Sequence, residues 1–440
     1  MLLVVLQAEA QNVTNSPYSR YGLGDISYSG NGHNIAMGGT FVAESTPYFI
    51  NTVNPAANTN FLMQRFVFEV GFDVKYTNTQ SSTLSQKNTN STFKYLAGGF
   101  AAKPWWFFTF QLKPYSSMGY SFSDSTYADA DKTLLYTEKY TGQGGLNKLS
   151  ISTAFKIFKM FSVGATGSVL FGNLERSLSV SSTRSGYTIN GVSSSAADFY
   201  TYVYNNNKHI IHGLQYDLGF RFEKSFRSRK DTLSNAFKIS AGVYIGNKST
   251  LKSRDELFLH KYQNYYTTTY NSASYVSSMS DTLVNDTLSD ASITLPQGFG
   301  AGISMEIAER FTINADYQTQ KWSDFSLPCE ESVSHLRDSK YYGVGMQFVA
   351  AKYSSKYYKT INYRIGYHQQ DTYLTMNGYG INEKGFTFGL GFPIKSLIFN
   401  ISCDMGTRGT TEHNLYKEKY YLINFSVTAH DVWFVKRKFQ

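Results

Sequence analysis

The sequence is poor in cysteine, proline and charge. Two cysteines in 440 residues cannot build a disulfide scaffold. Their settings also differ: Cys329 follows Pro328 in a polar stretch, and Cys403 lies inside an alternating segment. Only 17% of the residues are charged, yet no apolar run beyond the first residues approaches the ~20 positions that a membrane-spanning helix needs. A helical membrane protein is excluded. What is abundant is aromatic surface, with 35 Tyr and 33 Phe in a chain that is 42% hydrophobic. That content rules out a disordered chain, and the scattered glycines rule out collagen.

The opening stretch, MLLVVLQAEAQ, has an apolar run from Leu2 to Leu6 and small residues at Ala8 and Ala10. It reads as the end of a secretory signal over residues 1–10, truncated because the basic leading region is missing. Residues 11–60 sustain neither a helical nor a strand period. They hold Pro17, Pro47 and Pro55 and many glycines, which predicts a compact, irregular domain.

After Asn60 the pattern changes. Phe66, Phe68, Val70, Phe72, Val74 and Tyr76 are apolar at every second position, with Glu69, Asp73 and Lys75 between them. Such alternation predicts a strand with one apolar and one polar face. It recurs near 92–103, 105–123, 149–157, 161–171, 212–223, 236–250, 294–307, 311–318, 340–349, 360–373, 382–392, 397–404 and 421–427, giving fourteen strands over residues 61–440. Strands this long, without helices, predict an all-β fold: a closed antiparallel transmembrane β-barrel of the Gram-negative outer membrane.

Short connections near Pro104, Lys159, Glu309 and Lys395 alternate with long loops at roughly 124–145, 178–208 and 251–292. The short turns belong on the periplasmic side, with both termini, and the long loops outside. The turns also hold many of the cations behind the net charge of +9, among them Lys103, Lys159, Arg310, Lys352 and Lys395. A basic rim suits outer-membrane lipid headgroups better than nucleic acid. Tyr76, Trp106, Trp322, Tyr367 and Tyr421 are read as interface girdle residues.

Pro114 falls inside the third strand, where it cannot donate to the ladder and is expected to kink the strand or form a bulge. Inward positions are rich in glycine, as at Gly300, Gly302, Gly343, Gly345, Gly389 and Gly391, so another backbone can approach the wall. The irregular N-terminal residues are the candidate to fill that space.

Ala36-Met37-Gly38-Gly39-Thr40, then Asn54-Pro55-Ala56-Ala57 directly before the first strand, resembles the N-terminal hatch signature of FadL-type outer-membrane fatty acid transporters. Leu295-Pro296-Gln297-Gly298-Phe299-Gly300, entering an alternating strand, is similar to that family as well. The resemblance implies a hatch-plugged barrel that takes up hydrophobic molecules and passes them sideways. It implies hatch and ligand-gating roles for Gly38, Gly39, Asn54, Pro55 and Ala56, and a lateral opening at Pro114.

One feature departs from that family. The inferred lumen carries Glu69, Asp73, Lys75, Asp217, Arg221, Asp316, Arg364 and Asp404, which is polar for an apolar conduit. Arg20, Asp25 and Glu44 of the hatch are the expected partners, because ions in a dry lumen need counter-charges. Catalytic signals are weak. His209 and His212 sit at a loop-to-strand junction and read as surface histidines, Cys329 with Glu330, Glu331 and His335 has no defined geometry, and Gly142, Gly144 and Gly145 precede no helix. The chain is not expected to be an enzyme, and no cofactor or metal is implied. The leading expectation is passive uptake of small fatty-acid-like molecules through an internal pocket, with hatch movement and lateral exit. The alternative is a non-transporting barrel of the same fold, a structural subunit or cargo platform of an envelope machine for outer-membrane protein assembly or secretion, with other envelope proteins as partners.

Overall fold

The computed structural model describes residues 14–27, 30–128, 130, 132, 134–184, 188–189, 192–193, 199–227, 235–269, 273–326, 336–352 and 354–433. The signal-like stretch 1–10, the cluster around Cys329 and His335, and the basic C-terminal residues lie outside the described residues.

Fourteen antiparallel strands close into a barrel. They are β1 (Arg65–Gln80), β2 (Ser85–Lys103), β3 (Trp106–Tyr127), β4 (Leu134–Lys156), β5 (Phe161–Arg184) and β6 (Phe199–Arg227). β7 is built from Asn235–Gly246 and Ser249–Thr269, and β8 from Ala273–Leu295 and Gly298–Ile307. The circuit continues with β9 (Phe311–Gln320), β10 (Ser339–Phe348), β11 (Asn362–Met376), β12 (Tyr379–Ile394), β13 (Leu397–Gly409) and β14 (Lys417–Val432). β14 pairs with β1, Tyr421 opposite Tyr76 and Phe425 opposite Phe72, so the sheet has no edge at that seam. Closure matters because an unpaired backbone group in hydrocarbon costs several kcal/mol.

Period-2 alternation sets the two faces. Phe68, Phe72, Leu214, Leu218, Phe386, Phe388 and Phe425 point outward and are exposed, whereas Glu69, Asp73, Gln215, Arg221 and Asn424 are buried inside. The outward belt is the lipid-facing surface of an outer-membrane barrel.

The long connections are corrected by the structure. They are not irregular loops: β3 and β4 run on to Tyr127 and Leu134, β5 and β6 to Arg184 and Phe199, and β7 and β8 to Thr269 and Ala273, forming three tall ribbons. Their Thr and Tyr residues favour extended backbone, and polar residues are mixed with the few apolar ones without a period of two, so the apolar alternation that marks the lower strands is missing. Gly142, Gly144 and Gly145 accordingly lie on β4 rather than in a loop, with Gly144 at positive φ. Trp322 is also corrected. It is fully buried against Tyr373, their rings 4.5 Å apart, and belongs to the internal core rather than to the girdle.

Residues 14–27 and 30–62 fill the lumen. They contain one short α-helix, Gly32–Ile35, capped by Asn31, whose side chain accepts from the Asn34 amide at 3.3 Å. A 3-10 turn, Pro55–Ala57, is capped in the same way by Asn54, which accepts from the Ala56 amide at 3.1 Å. Thr14, the first described residue, lies inside the lumen against Asp25.

Candidate functional site

The lumen has three levels between the turn end and the ribbon end. Nearest the ribbons is an apolar core. Leu146, Leu170, Leu174, Ile211, Leu251, Ile293 and Leu295 point inward from β4 to β8 and pack with Leu23 and Tyr18 of the hatch. None of these side chains is more than 1% exposed. Each fully buried leucine or isoleucine contributes about 1.5–3 kcal/mol, so this level is a packed interior and not a passage.

The middle level is where the wall holds the hatch. Gly38 and Gly39 both have φ +64°, and a side chain on Gly38 would meet the carbonyls of Tyr367 and Val344 at 2.6 Å. The Gly38 amide donates to Thr387 Oγ1 at 2.9 Å, and Tyr341 Oη donates to the Gly38 carbonyl at 2.8 Å. A belt of wall glycines accepts the hatch backbone. A Cβ on Gly345 would stand 2.2 Å from the Met37 carbonyl oxygen, on Gly242 2.4 Å from that of Val42, and on Gly219 2.1 Å from Asn54 Oδ1.

Charged lumen residues supply the clamps. Asp316 Oδ2 accepts from the amides of Phe41 (2.6 Å) and Val42 (2.8 Å). Glu69 accepts from the Ile50 amide (2.7 Å) and from Asn31 Nδ2 (2.9 Å). Arg221 Nε donates to the Ala43 carbonyl at 2.8 Å, and Arg364 lies over the Phe49 ring at 5.7 Å. Asn54 Nδ2 donates to the Val42 carbonyl at 2.7 Å, and Pro55 and Ala56 pack on Gly164 of β5.

The other four predicted lumen charges have their bonded or stacked partners on the wall. Asp73 pairs with Lys94 at 3.0 Å, Asp217 with Lys148 at 3.0 Å and Asp404 with His368 at 3.1 Å, while Lys75 covers the Tyr420 ring at 4.9 Å. The hatch ions feel expected lumen charges, Asp25 that of Lys75 and Glu44 that of Arg364, but take other groups as their bonded partners. Asp25 binds Arg408 (2.7 Å), Glu44 binds His33 (2.8 Å) and Asn314 (2.7 Å), and Arg20 lies over the Tyr140 ring at 4.3 Å. Burial alone would raise the Glu44 carboxyl, yet His33 and the bonds from His33 and Asn314 hold it below its ordinary value. Burial pushes the His33 imidazole down, against the opposing effect of Glu44. His209 is buried and bonded to Asp255 at 2.8 Å, not a surface histidine; His212, on the lipid side of β6, does not join it.

Pro114 stands at a discontinuity in the wall. The β2–β3 ladder runs from Lys103 opposite Trp106 to Leu96 opposite Leu112 and stops there. Beyond it, among the described residues, Ser85–Tyr95 of β2 pairs only with β1. The β3–β4 register shifts between Pro114 and Ser116. The hatch occupies the separation: Asp25 and Ile26 pair with Ser117 and Ser116, the Ser16 amide donates to the Gly119 carbonyl at 3.1 Å, and Asn15 reaches Asn90 of β2 at 2.9 Å. A cavity of about 210 Å³ lies behind, lined by Asp25, Asp73, Lys75, Glu383, Asp404 and Arg408 among others. A second, of about 520 Å³, opens at the turn end beneath Pro47, Tyr48 and Phe49.

Arg408 and Asn314 were missed in the sequence. Both sit on the inward alternation of their strands, Arg408 four residues beyond Asp404 and Asn314 two before Asp316. Extending the alternation would have found the first. The second is neutral, and a search for charges passes over it.

Comparison with known proteins agrees with this architecture. No curated protein sequence matches the chain. The Pseudomonas putida toluene transporter TodX aligns at 14% identity and a TM-score of 0.54, covering 93% of this chain and 99% of that one. The Ralstonia pickettii toluene transporter TbuX aligns at 14% identity and 0.51, covering 91% and 98%. A Pseudomonas aeruginosa FadL homologue aligns at 13% identity and 0.54, covering 93% and 99%. At such identities the likeness is one of fold. The model of one protein family, BamG, matches residues 1–440, and the chain therefore belongs to the BamG family.

Proposed function

We propose that the chain is a non-transporting outer-membrane barrel that serves as a structural subunit or cargo platform of an envelope machine, in outer-membrane protein assembly above all. One observation carries this reading: the apolar level of the lumen is filled by the protein's own side chains, and the cavity left beside Pro114 has Asp25, Asp73, Lys75, Glu383, Asp404 and Arg408 in its lining. A hydrocarbon entering the cavity between Lys75, Arg408 and Asp404 would strip solvent from ions at a cost of several kcal/mol. The bonds from Asp316, Glu69 and Arg221 to the hatch backbone support a fixed plug. The match of the BamG family model over residues 1–440 favours it as well. In this reading the turn end is periplasmic and the ribbons form the outer working surface. No catalytic step is involved.

A second reading is favoured by the open ladder beside Pro114. TodX and TbuX are toluene transporters, and a wall separation next to a lumen cavity suits lateral exit of a hydrophobic molecule. Under that reading Asn54, Pro55, Ala56, Gly38 and Gly39 would gate the route. The two differ in whether the hatch must move. A strain lacking the chain, complemented by the Asn15→Cys/Asn90→Cys variant, separates them. The platform reading expects normal outer-membrane protein levels with the disulfide formed. Function lost on oxidation and regained with reductant would overturn it in favour of hatch movement.

A further inference from the structure

The cavity at the turn end holds cations that the hatch does not take up. Six cations line it, Arg65, Arg221, Lys238, Arg310, Lys352 and Lys395, against three carboxylates, Glu44, Glu306 and Glu309. Lys238 is held by Glu306 at 2.6 Å, Lys352 by Glu309 at 3.1 Å, and Arg221 by Glu223 at 2.5 Å. Glu44 is taken by His33. Arg65, Arg310 and Lys395 have no carboxylate partner among the described residues.

Two of these cations converge on one corner. The His430 amide donates to the Ser396 carbonyl at 2.8 Å, next to Lys395, and Val432, two residues beyond His430, pairs with Arg65. His430 is only 8% exposed, lines the same cavity and has an Nε2 without a hydrogen-bond partner. A buried unpaired imidazole nitrogen is costly unless something occupies the space in front of it. Beside it the chemistry turns apolar: Tyr48 meets the His430 ring edge-on at 5.4 Å, and Phe49, Val349 and Ile398 continue the lining. The volume of about 520 Å³ is that of a small-molecule site.

We propose that this corner is an anion-binding site whose ligand carries a phosphate or carboxylate on an apolar body. Arg65 and Lys395 pair with the anionic oxygens, His430 Nε2–H donates to one of them, and the apolar body lies along Tyr48 and Ile398. The site rests on the hatch position of this structure, since Tyr48 belongs to the hatch, and it does not depend on the wall opening beside Pro114. Both a lipid headgroup and a soluble amphiphilic anion present this chemistry.

The test uses the full chain in a neutral detergent, titrated calorimetrically with decyl phosphate, inorganic phosphate and decanol. Decyl phosphate should bind, and Arg65→Gln/Lys395→Gln should weaken it by about tenfold or more, the usual loss when charged hydrogen bonds are removed. His430→Phe should weaken it as well, with the barrel's heat-modifiable gel migration retained as the check on folding. Tyr48→Ala should weaken decyl phosphate and leave inorganic phosphate unchanged. Dependence of inorganic phosphate binding on Arg65 and Lys395 assigns a soluble anion as the source. Retention of phosphatidylglycerol by the wild type, and its loss from the double variant, assigns a lipid headgroup. Affinity unchanged in both the double variant and His430→Phe, or decanol binding as tightly as decyl phosphate, overturns the proposal.

Discussion

Asp316→Ala is the sharpest probe of how the hatch is held. Asp316 is 6% exposed and one of its oxygens accepts two hatch amides, from Phe41 and Val42. Truncation leaves both N–H groups buried and unpaired, at about 1–3 kcal/mol each, or about 2–6 kcal/mol together. It also removes the carboxylate's own desolvation, which sets the expected loss in the lower half of that range, about 2–4 kcal/mol. That corresponds to a rise in local opening of about 30- to 1000-fold. Hydrogen exchange read by mass spectrometry on peptides spanning residues 37–44 measures it directly. Faster exchange should be confined to those peptides, because the β8–β9 and β9–β10 ladders do not depend on the Asp316 side chain. Unchanged protection at Phe41 and Val42 would refute the clamp. Equal loss throughout β9 would show that the carboxylate holds the wall rather than the hatch.

Three other outcomes follow from the same geometry. Gly345→Ala places a Cβ 2.2 Å from the Met37 carbonyl oxygen, so the hatch must shift and residues 30–62 should become protease-sensitive while the barrel stays heat-modifiable; protease resistance equal to wild type would contradict the close approach. Arg408→Met strands Asp25 and Glu418 without their shared cation, which should cost about 3–5 kcal/mol and release residues 14–27 in limited proteolysis; unchanged cleavage would show that the pair contributes little. Asp255 stands directly opposite Leu288 in the third ribbon. Replacing residues 256–287 by Asn-Gly should give a tight hairpin, leaving the barrel folded but abolishing partner co-purification if the ribbons are the working surface.

The strands in the lower barrel were legible because lipid outside and ions inside write a period of two directly into the sequence, as in Phe66 to Tyr76. The ribbons were not, because away from the lipid-facing belt neither face has to be apolar: the paired stretches 252–263 and 279–292 mix Ser, Asp, Thr and Asn with Leu and Phe without a sustained period of two. Trp322 was misplaced for a related reason. Its position after a strand suggests the interface, yet the 3-10 turn Trp322–Asp324 folds it back onto Tyr373. The wall glycines pointed to a close backbone neighbour: Gly302, Gly343, Gly345 and Gly389 do meet the hatch, whereas Gly300 and Gly391 instead make room for the wall side chains of Tyr244 and Arg364. Which charges pair across the lumen could not be read, since partners such as Asp25 and Arg408 are 383 residues apart in the chain.

The most direct test of the central claim is native mass spectrometry of the chain extracted from its own membrane in mild detergent. The account predicts a stoichiometric complex with other envelope proteins and no apolar small molecule in the lumen. A lone barrel carrying a bound hydrocarbon or fatty acid, lost on Pro114→Ala or Asn54→Ala, would contradict it.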